Sequence, residues 1–279
     1  MSHALNIFQG RFGRVALLDM DRSLVTHAHR ACHVLLKFGG ADTAFQVRNE
    51  ICPLMDDTAV LVNAWEPHAY THAPNAPQTI ILALYIDPLW LANIDRQLIC
   101  SGHSQFFPRQ CVGLNPLVLE RALDLGGQML LGEPLSTREA EEIVFDLMIS
   151  IIDSFSNRIV LRGDRDRMGI ADHRIRRAID IMRRELGEPL DIAKLSRVAC
   201  LSRPHFFHQF KQVTGLTPNL LLNTLRMEHA ATMLVSPEKT LIDVAQDVGF
   251  EAHPNFTRFF RQHQGVAPSE YRRVTQLFG

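Results

Sequence analysis

The stretch Leu201–Pro218, LSRPHFFHQFKQVTGLTP, and the stretch His253–Pro268, HPNFTRFFRQHQGVAP, decide the fold of the C-terminal half. Phe206, Phe210, Lys211, Gly215 and Pro218 of the first lie 50 residues before Phe256, Phe260, Arg261, Gly265 and Pro268 of the second. Five matches at one offset argue for a structural unit used twice. The chemistry of the unit is local. Ser202 offers a hydroxyl to the orphan N–H groups of a helix start, and Pro204 is tolerated in that first turn. Phe206, Phe210 and Val213 recur at helical spacing and make a buried stripe. Gly215 ends the helix by accepting a left-handed conformation, and Thr217-Pro218 caps and starts the next one.

A short helix precedes each of these. Asp191 caps Ile192–Val198, and Ala199-Cys200-Leu201 is a tight turn. In the second unit Leu241–Val248 is the helix and Gly249-Phe250-Glu251 the turn. That turn is one residue longer: Ala245 stands 11 before Phe256, whereas Ser196 stands 10 before Phe206. A short helix, a tight turn and a helix with one apolar face make a helix-turn-helix, here at about 191–214 and 240–264. The second helix of each unit is the one that enters a major groove.

The ordered run from LSRPHFFHQFKQVTGLTP through LRMEHAATMLV to LIDVAQDVGFEAHPNFTRFFRQHQGVAPSEYRR resembles the DNA-binding domain of the AraC/XylS family of bacterial transcription regulators. The resemblance covers about residues 172–273. It implies seven helices, with Thr217–Val235 as a rigid connector. It also implies two recognition helices in successive major grooves of one DNA face, about one turn (~34 Å) apart. On the first recognition helix the faces away from Phe206 and Phe210 carry Arg203, Pro204, Phe207, His208 and Lys211. On the second they carry His253, Pro254, Asn255, Arg258 and Arg261. Arg258 matches a family position that often contacts DNA and suits guanine O6/N7, while Asn255 suits adenine. Lys211 and Arg261 suit phosphates. The sequence departs from the family at His208, where arginine is frequent, at Phe207, a usually polar position, and at Ser196, a usual alanine. The first helix is therefore expected to read DNA less stringently than the second.

The N-terminal half has a different texture. Arg14–Leu18, Ala31–Lys37, Ala44–Val47, Ala59–Val62 and Thr79–Ile86 are short apolar segments. Turn signals separate them: Gly39-Gly40, Asp56-Asp57, and the loop Glu66–Gln78 with three prolines. This predicts a β-barrel or sandwich over 1–115. THAHRACH (26–33), the Gly39-Gly40 turn and NAWEPHAYTH (63–72) resemble, more weakly, the cupin-like effector and dimerisation domain common in the family. In metal-binding cupins an HxH pair, a nearby carboxylate and a distant histidine hold a divalent ion. Here His27, His29 and His68 or His72 are present, and His33 occupies the carboxylate position. No resident metal or cofactor is expected. The resemblance favours a small-molecule effector pocket lined by His27, His29, Phe45, Trp65, His68 and Tyr70, with core filling as the alternative for Trp65 and Tyr70.

Pro116–Leu131 and Arg138–Leu161 have helical periodicity and form a helical region over 116–161. Ile143, Leu147, Ile151 and Phe155 recur every fourth residue. That stripe suits a dimer interface or packing on the chain's own β domain. Residues 162–171 form a charged linker before the C-terminal domain, 172–279, which reads as helical throughout.

Composition is consistent with two globular domains. The chain has 279 residues, 46% hydrophobic and 21% charged. No run approaches the ~20 apolar residues of a membrane span, and MSHALNIFQGRFGR lacks a signal-peptide core. Five scattered cysteines without a CxxC suggest neither a disulfide framework nor a thiolate metal site, and so a reducing cytoplasm, with the nucleoid as the place of work. Net charge is −1, but residues 172–279 carry 15 Lys+Arg against 11 Asp+Glu, and residues 1–171 carry 14 against 19. A basic half beside an acidic one suits a DNA-binding domain joined to a sensor. The sequence thus predicts a non-enzymatic, effector-controlled regulator that binds double-stranded DNA as a homodimer. RNA polymerase is a further partner for such a protein, although no residue signals that contact. A cupin-type metalloenzyme or metal sensor fused to a DNA-binding domain is the alternative.

Overall fold

The computed structural model describes residues 2–132, 134–157, 172–236 and 238–278. The linker expected at 162–171, and residues 158–161 of the expected second long helix, lie outside these. Ten strands are described: β1 (His3–Gly10), β2 (Gly13–Met20), β3 (Cys32–Gly40), β4 (Thr43–Val47), β5 (Glu50–Leu54), β6 (Thr58–Val62), β7 (His68–Thr71), β8 (Thr79–Ile86), β9 (Cys111–Gly113) and β10 (Thr275–Leu277). They form a seven-stranded sheet, β10-β1-β2-β8-β3-β6-β9, and a three-stranded sheet, β5-β4-β7. The cupin-like expectation holds as two packed sheets; the strands do not close into one ring.

Strand periodicity explains the layering. Val15 and Leu17 of β2, Val34 and Leu36 of β3, and Leu82 and Leu84 of β8 share one core with the helices α1 (Pro88–Ile94), α2 (Pro116–Leu131) and α3 (Thr137–Phe155). The alternate residues Ala16, Leu18, Leu35, Ile81 and Ala83 enter a second core on the opposite face. The central strands are buried on both sides, which is why they read as continuous apolar runs. β7 lies inside the segment expected to be a proline-rich loop; four residues between Pro67 and Pro74 suffice for pairing with β4.

α2 begins and ends where the periodicity places it, capped by Asn115 and by Gly132 in a left-handed conformation. The stripe on α3 is a correction. Leu147 and Ile151 are fully buried in the chain's own core, with Ile143 and Phe155 partly buried against it, so the stripe is used largely by internal packing.

The C-terminal domain has seven described helices: α4 (His173–Arg184), α5 (Ile192–Val198), α6 (Arg203–Thr214), α7 (Pro218–Leu234), α8 (Leu241–Asp247), α9 (His253–Gln264) and α10 (Pro268–Val274). Two features depart from an all-helical domain standing apart. Its last residues form β10, which pairs in parallel with β1 (Ile7 opposite Thr275, Gln9 opposite Leu277). Its second half also shares a core with the β domain: Met227, Ala230, Phe256 and Phe260 lie in one cluster with Ile7, Leu35, Val60 and Tyr70.

Candidate functional site

The helix-turn-helix units are built from the caps and turns expected of them. Asp191 accepts from the Lys194 N–H, Ser202 from His205 and Thr217 from Leu220. Phe206 and Phe210 stack at 5.4 Å in the first unit, Phe256 and Phe260 at 5.8 Å in the second. Val213 is only partly buried. Gly215 and Gly265 close their helices at φ +74° and +79°. The first turn places Cys200 at φ +54°, whereas the second uses Gly249 at +83°. A Cβ on Gly249 would meet the Gly187 carbonyl at 2.6 Å, so only glycine fits there.

A device that sequence reading missed holds each unit to the rest of its domain. Arg226 on α7 donates from Nε and Nη2 to the Leu186 and Glu188 carbonyls, in the loop before α5. Arg272 on α10 donates in the same way to Leu234 and Lys239, in the segment before α8. The two arginines follow Pro218 and Pro268 by 8 and 4 residues, one helical turn out of step. A 50-residue offset therefore does not align them.

Arg203, Pro204, Phe207, His208 and Lys211 on α6 are all exposed, as are His253, Pro254, Asn255, Arg258 and Arg261 on α9. Phe207 is 44% exposed although aromatic. The described residues offer Arg203, Lys211, Arg258 and Arg261 no carboxylate partner, in contrast to Arg174 and Lys194 beside them, which pair with Asp172 and Glu185. Neither α6 nor α9 has an acidic residue in its first turn, and α9 starts from Ala252 without a side-chain cap. Free cations on both helices and the uncapped N-terminus of α9 suit phosphates and base edges.

The six residues expected to line an effector pocket do not share a cavity. Phe45 and Tyr70 stack at 5.1 Å and are core residues, 3% and 1% exposed. Trp65 sits at φ +63° and faces a separate cleft, of about 720 Å³, shared with Lys211–Leu216. His27, His29 and His68 do come together. Their ring centroids lie 4.4 to 5.1 Å apart, and His33 stands 5.2 Å from His29 and His68. All four are buried. Burial pushes the imidazoles of His27, His29 and His33 well below their ordinary pKa, and that of His68 down to about 4. The cluster is therefore neutral at physiological pH.

His29 also borders a cleft of about 300 Å³ between the domains, lined from the β domain by Arg14, Tyr85 and Asp87 and from the helices by Glu228, Gln264 and Tyr271. Arg14 is the notable group there. Its guanidinium lies 3.8 Å over the Tyr85 ring and donates from Nη1 to the Tyr271 hydroxyl at 3.1 Å. Its Nε is shielded from solvent and has no hydrogen-bond partner. A lone arginine in the apolar strand GRVALLDM was the available signal; its partner Tyr271 is 257 residues away.

Known proteins agree with this architecture. A helix-turn-helix domain family matches residues 195–274. An uncharacterised HTH-type transcriptional regulator of Haemophilus influenzae is 23% identical over 154 residues, 54% of this chain and 52% of that protein; this chain thus spans about half of that relative's length. The "Probable transcriptional regulator LumQ" of Photobacterium leiognathi is 24% identical over 258 residues, 91% of this chain and 94% of that one. A crystal structure of ToxT from Vibrio cholerae shares the fold at TM-score 0.56 and 13% identity, covering 93% of this chain and 97% of that one. No helix among the described residues is long and apolar enough to cross a membrane. With its repeated helix-turn-helix units beside a two-sheet domain, the chain carries a helix-turn-helix domain at residues 195–274 and is similar to HTH-type transcription regulators over most of its length, as the resemblance to the AraC/XylS family implies.

Proposed function

We propose that this regulator reads DNA through α6 and α9 and is controlled by a small carboxylate-bearing molecule bound in the cleft between its domains. The observation that carries the control is Arg14, a shielded cation with one unused donor that touches Tyr85 of the β domain and Tyr271 of the DNA-binding domain. A carboxylate satisfying Nε would compete with or reshape the Tyr271 contact. A ligand biases two domain arrangements only by binding them unequally, and a group bridging both domains supplies that difference. ToxT has been solved bound to an unsaturated fatty acid, which favours a carboxylate ligand for this fold. A thermal-shift screen of fatty and aromatic carboxylic acids is the test. At least one acid is expected to raise the melting temperature of the wild type and not of Arg14→Gln. Equal stabilisation of both proteins by neutral compounds would refute the assignment.

For DNA, Arg258→Ala is expected to cost about 1–3 kcal/mol and to relax preference at one base pair, read by selection from a random-sequence DNA pool. A uniform loss across all sequences would reassign Arg258 to a phosphate. The second recognition helix, with Asn255 and Arg258, sets the more stringent half of the site; the first offers Phe207 and His208 instead.

Dimerisation moves from α3 to α2. Leu123 and Leu130 of α2, 48% and 56% exposed, stand seven residues apart on its solvent side, with Leu117 and Leu131 exposed beside them. Leu123→Glu with Leu130→Glu is expected to turn a dimer into a monomer in sedimentation. A dimer that survives both changes places the interface elsewhere.

A further inference from the structure

We propose that His27, His29 and His68 bind one divalent late-transition-metal ion of the zinc class, and that the bound ion stiffens the contact between the β domain and the second recognition helix, α9. The three offer ligand nitrogens that all lie within 4.8 Å of one another. They are held by a mutual clamp: the His27 N–H donates to the His68 carbonyl and the His68 N–H to the His27 carbonyl, each at 2.9 Å.

The orientation of the rings is what marks the cluster as a site. Nδ1 of His27 meets the Val25 carbonyl at 2.7 Å, and Nδ1 of His68 meets the Glu66 carbonyl at 2.9 Å. A carbonyl only accepts, so each neutral ring carries its proton on Nδ1 and leaves Nε2 as a bare lone pair. That is the arrangement in which a backbone carbonyl supports a ligating imidazole from behind. Nε2 of His29 and of His68 is buried with no partner. The turn that presents His68 is itself secured: the buried Glu66 carboxylate accepts from the Asn63 N–H at 2.9 Å and from Arg48.

Chemistry selects the ion. Three imidazoles without a carboxylate suit Zn²⁺, Ni²⁺ or Cu²⁺ and not Mg²⁺ or Ca²⁺, which take oxygen ligands. Metal–nitrogen bonds of about 2.0–2.1 Å put ligand nitrogens about 3.3 Å apart in a tetrahedral site, so nitrogens now up to 4.8 Å apart close by up to about 1.5 Å. His29 borders the interdomain cleft.

The coupling to α9 rests on separate contacts. The Val25 N–H donates to the Gln262 carbonyl at 3.1 Å. The His27 ring lies 6.4 Å from that of His263, whose Nδ1 is tied to the Phe259 carbonyl at 2.7 Å. Closing the three rings on an ion fixes segment 25–29, and that segment holds the C-terminal end of α9.

The test uses the full-length chain stripped by a chelator and titrated with Co²⁺ and then Zn²⁺. One Co²⁺ per chain is expected, with visible d–d absorption that Zn²⁺ abolishes. His29→Gln is expected to weaken Co²⁺ binding at least 100-fold. The described residues give the His29 ring nitrogens no hydrogen bond, so this change removes a ligand and no bond of the fold; a melting curve confirms folding. His72→Ala, outside the cluster, is expected to bind as the wild type does. Equal Co²⁺ binding by wild type and His29→Gln would overturn the site. Zn²⁺ is also expected to slow amide exchange at residues 262–265 at least tenfold in the wild type only; metal binding with unchanged exchange would overturn the coupling. No organic ligand enters these measurements, so their failure leaves the Arg14 cleft standing, and the reverse.

Discussion

Phe260→Ala is expected to destabilise the protein by about 3–5 kcal/mol and to abolish specific DNA binding at 37 °C. Phe260 is fully buried on α9. Its ring stacks on Phe256 at 5.8 Å and meets Tyr271 edge-on at 5.4 Å. Truncation leaves a cavity in a core that the β domain shares, with Val60 and Tyr70 in the same cluster. Collapse of that cavity would shift α9, the helix carrying Asn255 and Arg258. The loss amounts to a large part of the 5–15 kcal/mol by which a typical domain is stable. Chemical denaturation checks it. A change under 1 kcal/mol would mean that the two domains are not packed as one core.

Phe278→Ala is expected to cost nearly as much, about 3–5 kcal/mol, through a different mechanism. Phe278 is 6% exposed although it stands one residue from the C-terminus. Its ring packs on Phe8 at 4.9 Å and beside Phe12 at 6.4 Å. Its N–H donates to the Gln9 carbonyl at 2.8 Å, continuing the β1–β10 pairing. Glu270 adds a tie by accepting from the Ala4 N–H and pairing with His3. Losing the phenyl ring detaches β10 from an edge strand, so the DNA-binding domain should gain freedom relative to the β domain. Proteolysis between the domains, compared with Phe260→Ala, separates the effects: Phe278→Ala should raise cleavage while leaving the helical signal intact. Unaltered cleavage would mean that β10 is not what holds the domains together.

The helix-turn-helix units were legible because the interactions that define them are local. A cap bonds three residues ahead, as Ser202 does to His205, and a stripe such as Phe206 and Phe210 repeats every turn. Strand edges were less so. β1 and β7 went unmarked because their alternation is short or interrupted, and β7 exists only through its pairing with β4. The α3 stripe shows the limit most plainly. Ile143, Leu147, Ile151 and Phe155 announce an apolar face, but periodicity carries no information about what covers it. The face of α2 left exposed looks similar in sequence.

The site residues divide in the same way. The ten exposed positions on α6 and α9 followed from subtracting the buried faces of two helices. Half of the expected pocket, Phe45, Trp65 and Tyr70, was misplaced, since the sequence distinguishes inward from outward but not core from cavity. The histidines were visible as a pattern; their inward Nε2 atoms depend on the carbonyls of Val25 and Glu66, which no pattern specifies.

Local sequence alone was enough to establish the tandem helix-turn-helix and the presence of a β half before it, because caps, turns and periodicity act over a few residues. Only the tertiary structure decided that the last strand of the chain closes on the first, that Arg14 meets Tyr271, and that segment 25–29 meets α9. Those contacts join residues more than 200 positions apart. They arise from how two apolar surfaces pack, which is a property of the assembled faces and not of any one stretch of chain.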